Sequence, residues 1–183
     1  MKLRELDVFV TAPPSPGWGG RYWILVKVTT DDGIVGWGEC YASSVGPKAM
    51  HAVINDVFER HMMGESPENV EIMFRRVYSS GYTQRPDLTV MGAFSGLEIA
   101  CWDILGKARN RPVHALIGGL VNERIRAYTY LYPLPQHDFA KFWSSPEMAA
   151  EAALDCAERG YTAIKFDPAG PYTLRGGHMP AMR

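Results

Sequence analysis

The sequence predicts an α+β domain, built from a three-stranded antiparallel meander and a helical bundle, followed by the first βαβ unit of an incomplete (β/α) barrel. Three observations carry this expectation. Apolar residues alternate with a period of two through residues 3–41, with turn residues between the runs. They then recur at helical spacing through residues 47–118. After residue 119 a strand, a helix and a second strand follow in order, the pattern of a parallel pair joined by a right-handed crossover.

Each element has a local reason. Leu6, Val8 and Val10 share one face of a first strand, Leu3 to Val10. Thr11 to Gly20 holds three prolines and three glycines in ten residues and is a loop. Arg21 to Thr30 alternates again, with Ile24, Val26 and Val28 on one side. Asp31-Asp32-Gly33 is a hairpin turn, because glycine accepts a positive φ and aspartate bonds its own backbone. Ile34 to Tyr41 completes the meander.

Pro47 to Met62 sets Met50, Val53, Ile54, Val57 and Phe58 on one helical stripe. Ser66-Pro67-Glu68 starts another helix, with Ser as N-cap and Pro in the first turn. Leu88 to Arg109 is apolar on most faces and is expected to be buried on most sides. Pro112 opens a short helix that ends at Gly118-Gly119. Arg124 to Leu131 and Thr162 to Asp167 read as strands, Pro133 to Ser145 as a loop and Pro146 to Arg159 as a helix. The expected domains are therefore 1–119 and 120–183.

Composition excludes several classes. The 183 residues are 46% hydrophobic and 21% charged, ordinary for a globular chain. A net charge of −1 advertises neither a nucleic-acid nor a membrane surface. Met1 to Val10 has no signal-peptide core, and no apolar run approaches membrane-spanning length. Cys40, Cys101 and Cys156 lie far apart, at neither metal nor redox spacing, and read as small buried hydrophobes in a reducing cytoplasm.

The segments Asp31-Asp32-Gly33-Ile-Val-Gly-Trp-Gly-Glu39, Gly92 to Lys107, Pro112 to Gly119 and Gly160 to Asp167 stand in one order across nearly the whole chain. In that order they resemble the enolase superfamily, and most closely its mandelate racemase/muconate lactonizing enzyme branch. The resemblance implies a capping domain, residues 1–119, and the first two strands of a TIM-like barrel, residues 120–183. It further implies Mg²⁺-dependent abstraction of the proton α to a carboxylate, with the ion spreading the developing charge.

Lys165 falls on the first lysine of the family's Lys-x-Lys motif at the end of the second barrel strand. The second position is Asp167, which cannot copy a lysine base because a carboxylate is anionic at neutral pH. Residues two apart on a strand face the same way, so both are candidate catalytic groups. Without the resemblance, the simplest reading of the two is an ion pair at a strand end. By resemblance, an acid at the second position points to dehydration of a sugar acid, an aldonate or aldarate. A racemase, epimerase or cycloisomerase of the same superfamily is the alternative.

The family's two substrate-selecting loops correspond by position to Pro13–Tyr22 and Ser43–Gly46. Trp18, Arg21 and Tyr22 on the first loop are candidate substrate contacts, and so are Tyr82 and Arg85, in the break before the long helix. His114 and His137 read as structural or solvated, and His178 as a lone histidine in a Gly-rich tail. The Mg²⁺ ligands are expected on later strands, so no metal site carries over to this chain. A homo-oligomer is implied by the same resemblance. A complete barrel takes about 250 residues, so the polypeptide is expected to continue past Arg183 or to be completed by another segment. Failing that, it is an inactive fragment or a non-enzymatic capping module.

Overall fold

A computed structural model of the chain describes residues 1–14, 22–41 and 45–166. The chain divides into two compact units, one of Met1–Pro14 with Tyr22–Leu120 and one that begins at Val121.

In the first unit β1 (Leu3–Thr11), β2 (Trp23–Thr30) and β3 (Val35–Cys40) form an antiparallel sheet in the order β1-β2-β3. The register sets Val8 opposite Val26, and Val26 opposite Gly38. Ile24, Val26 and Val28 thereby share one face, and all three are buried. The predicted hairpin is present: Gly33 takes φ +85, and the Thr30 hydroxyl accepts the Ile34 amide at 2.9 Å.

Four helices follow: α1 (Pro47–His61), α2 (Val70–Ser80), α3 (Leu88–Ala108) and α4 (Val113–Leu116). The Ser66-Pro67 start opens a 3₁₀ turn, Pro67–Asn69, before α2 begins, and the Ser66 hydroxyl accepts the Glu68 amide. Asp87 caps α3 by accepting the amides of Thr89 and Val90. Helix α3 has 21 residues and is long and apolar enough by composition to cross a membrane, contrary to the expectation from the sequence. In this fold it is a core helix. Phe94, Leu97, Cys101 and Ile104 are buried in one cluster with Ile54, Phe58, Val26 and Met73.

The contact between α3 and β3 is backbone against backbone. A Cβ on Gly38 would stand 2.9 Å from the Gly96 carbonyl carbon, and one on Gly36 would stand 3.0 Å from that of Ala100. A Cβ on Gly96 would in turn lie 2.9 Å from the Cys40 amide nitrogen. Gly36, Gly38 and Gly96, from two of the family-like segments, are spent on this close approach. Polar side chains of α3 complete it: Asp103 accepts the Trp37 amide at 2.9 Å, and Lys107 donates to the Val35 carbonyl at 2.8 Å. Two backbone groups of β3 are thus paired by α3 side chains, which blunts a template for unwanted strand pairing.

In the second unit β4 (Thr129–Tyr130) and β5 (Ile164–Lys165) pair in parallel, with α5 (Phe139–Phe142) and α6 (Pro146–Glu158) between them in sequence. Leu131, Phe142, Trp143, Ala149, Ala152 and Cys156 form its core. Both strands are shorter than predicted, because only Thr129 with Ile164 and Tyr130 with Lys165 find ladder partners among the described residues. The predicted loop 133–145 holds the short helix α5, whose first amides are accepted by Asp138. All three cysteines are buried and free.

Candidate functional site

Lys165 ends β5 directly opposite Tyr130, which ends β4. The backbone fixes this end of the pair, since the Leu131 amide donates to the Lys165 carbonyl at 2.8 Å. At the other end Arg126 grips Thr162, its Nε donating to the hydroxyl at 2.9 Å. Phe166 packs into the helical cluster, edge-on to Phe142. Successive strand residues face opposite ways, so Lys165 stands on the opposite face, exposed. Its ammonium lies 5.2 Å from the centre of the Tyr130 ring. That ring stacks in turn on Tyr132 at 5.6 Å. Among the described residues no carboxylate pairs with Lys165.

Asp167, the other catalytic candidate, lies outside the described residues, as do Trp18, Arg21 and His178. Tyr22 packs against the core of the first unit, and its hydroxyl donates to the Val45 carbonyl at 3.3 Å. Tyr82 is 77% exposed and holds a left-handed backbone, φ +44, which is uncommon outside glycine. Arg85 closes that turn: its Nε donates to the Tyr82 carbonyl, and its guanidinium lies 5.8 Å from the centre of the Tyr78 ring. The structure therefore joins Tyr82 to Arg85, and joins Tyr22 to Val45 rather than to either of them.

His137 serves the second unit's interior. The Leu134 amide donates to Nδ1, and Nε2 bonds Glu151 at 2.9 Å while the ring stacks on Phe142. A different histidine, passed over in the sequence, is electrostatically unusual. His61 Nε2 is buried with no partner among the described residues. Burial, then the neighbouring Arg60 charge, pushes its pKa below the ordinary 6.5. Position alone gave no signal of this, because His61 ends α1 like any C-terminal basic residue.

Among the described residues no group of three or more His, Cys, Asp or Glu is placed to hold a metal ion. These residues do not fit a Mg²⁺ site, and what they offer chemically is an exposed cation at a strand end.

The family model described as mandelate racemase / muconate lactonizing enzyme, N-terminal domain, matches residues 18–118. A D-galactonate dehydratase family member from Streptomyces bingchenggensis (strain BCW-1) is 31% identical over 160 residues, 87% of this chain and 34% of the relative. The D-galactonate dehydratase of Klebsiella pneumoniae (strain 342) is 35% identical over 109 residues, 60% of this chain and 28% of its own length. A crystal structure of mandelate racemase/muconate lactonizing enzyme from Sulfitobacter sp. is 81% identical, with a TM-score of 0.90, and covers 100% of this chain and 46% of its own. The chain thus spans about a third of the length of the curated relatives it matches. The three-stranded sheet and its helices are the capping domain of that family, and the short parallel pair begins a barrel. The chain belongs to the mandelate racemase/muconate lactonizing enzyme family of the enolase superfamily.

Proposed function

We propose that the whole protein dehydrates a sugar acid, beginning with loss of the proton α to its carboxylate. The observation that carries this reading is Lys165: a cation at the end of a parallel strand, exposed and unneutralised by any described carboxylate. The two curated relatives are named as D-galactonate dehydratases or family members, which supports an aldonate as substrate. In the proposed reaction the C2–H bond breaks, the C3–O bond breaks, and the hydroxyl leaves as water. The resulting enol becomes a 2-keto-3-deoxy acid. Lys165 holds the substrate carboxylate, where its charge offsets the negative charge that builds up as the proton departs. Asp167 is proposed as a second catalytic group, and Trp18, Arg21, Tyr22, Tyr82 and Arg85 as the contacts that select the sugar. The reading expects a requirement for Mg²⁺, held by groups other than the described residues. A cytoplasmic homo-oligomer belongs to the same reading, and light scattering of the purified protein checks its assembly.

The test is a screen of the whole protein against aldonic and aldaric acids with Mg²⁺ present. Formation of a 2-keto-3-deoxy acid is the expected result. No such product from any acid in the set ends the dehydratase reading.

A second reading is favoured by the Sulfitobacter neighbour, whose name is that of a racemase and lactonizing enzyme at 81% identity. Racemisation, epimerisation or cycloisomerisation begins with the same proton transfer. Deuterium wash-in from D₂O without loss of water selects it.

A further inference from the structure

We infer that Tyr130 is a positioning residue, whose ring holds the Lys165 ammonium at the strand end, where it meets a substrate carboxylate. The inference rests on the functional reading above and names the device that prepares its lysine.

A lysine side chain is long and has four rotatable bonds, so an exposed one samples many positions. Two kinds of neighbour can restrict it. A carboxylate does so by neutralising the charge, which leaves little for an incoming anion. An aromatic face does so through its quadrupole, attracting the cation within about 6 Å of the ring centre without cancelling it. Among the described residues Lys165 has the second arrangement, at 5.2 Å from the Tyr130 centre. The geometry follows from the fold. Tyr130 and Lys165 are register partners on the parallel ladder, so both side chains leave the same face at the same level. Tyr132 stacks on the Tyr130 ring at 5.6 Å and 27° and limits its rotation. Tyr130 is itself half-buried, whereas Lys165 is exposed. The ring is therefore the fixed member and the amine the one being placed. What matters is the ring face, not the hydroxyl, so phenylalanine is expected to substitute and leucine is not.

The experiment uses the whole protein labelled with ¹³C at lysine Cε, with Mg²⁺ present, and Lys165→Arg to assign the Lys165 signal. In the wild type the Lys165 ε-protons are expected upfield of the other lysines, shifted by the ring current. Tyr130→Phe keeps the shift and Tyr130→Leu loses it. Malonate, which has a carboxylate but no hydroxyl to lose, is then titrated against the same signal. Tyr130→Leu is expected to weaken malonate binding about fivefold, the scale of one exposed cation–π contact, while Tyr130→Phe binds like the wild type. An unshifted Lys165 signal in the wild type overturns the inference. So does a Tyr130→Leu variant that binds malonate as well as the wild type, or a Tyr130→Phe variant that behaves like Tyr130→Leu. None of these readouts needs turnover, so a protein that dehydrates no acid refutes the functional reading separately.

Discussion

Gly38 of β3 and Gly96 of α3 meet without an intervening side chain: a Cβ on Gly38 would stand 2.9 Å from the Gly96 carbonyl carbon. The strand carries a second glycine, Gly36, against Ala100, so the wedge runs along most of β3. Gly92 extends it at the other end of the helix, where a Cβ would lie 2.5 Å from the Tyr41 carbonyl oxygen.

Gly96→Ala should therefore destabilise the first unit by about 2 kcal/mol or more, since an added methyl meets backbone that has no room to yield. Thermal unfolding reads this directly. An unchanged melting temperature would show that β3 can step away from α3 at no cost.

Asp103→Ala leaves the Trp37 amide without its acceptor and Lys107 without its ion-pair partner. The expected loss is about 1–2 kcal/mol. Hydrogen exchange at the Trp37 amide should speed up, while amides on the β1–β2 side of the sheet keep their protection.

Stability should fall with acidification in two separate steps. Burial holds the His61 pKa below its unfolded value of 6.5, so the unfolded chain takes up the proton first. Stability is fully present above that value and is lost as pH falls below it toward the lowered folded value. Glu65 and Asp56 are also held low, chiefly by hydrogen bonds from Arg76 and Arg60. Their contribution goes only below the ordinary values of 4.5 and 3.8. Urea midpoints at pH 7.5 and 5.5 should differ for the wild type, and His61→Gln should flatten that interval while leaving the carboxylate step in place.

Burial raises the Cys40 and Cys101 thiols to about 12. Thiolate is the reactive form, so neither should react with a disulfide reagent in the folded protein at pH 8. Full reaction after denaturation is the control. Rapid labelling of Cys101 under native conditions would show that α3 opens far more readily than its packing allows.

Lys165→Ala should lower turnover of the preferred acid by at least about a hundredfold, the scale of losing a preorganised charge from a reacting centre. The melting temperature should fall little, because the amine is exposed and its contact with the Tyr130 ring is worth only about 0.5–1 kcal/mol. Activity that survives this substitution would remove Lys165 from the site.

Long, periodic elements were legible in the sequence. The β2 alternation, the α1 stripe and the Ser66 cap all stand where the residues put them. Helix α5 was not, because four residues cannot display a period and its Asp138 cap sits in a polar run. The strands of the second unit were read too long, since alternation signals a strand before any partner exists to pair it. At the site, the place of Lys165 on β5 was legible from its position at the end of an apolar run. Its aromatic support was not, because Tyr130 and Lys165 are brought together only by ladder register. Tyr22 and Arg85 were read as substrate contacts, and the backbone bonds that each makes could not be seen from residue type.

The Tyr22–Val45 hydrogen bond has a practical consequence for redesign. Tyr22 belongs to Pro13–Tyr22 and Val45 to Ser43–Gly46, the two stretches to which substrate choice is assigned. Their roots share one tether. A chimera that borrows one stretch from a relative while keeping the other native would inherit a mismatched anchor. The two are better transplanted as a single cassette, with residues 22 and 45 carried along.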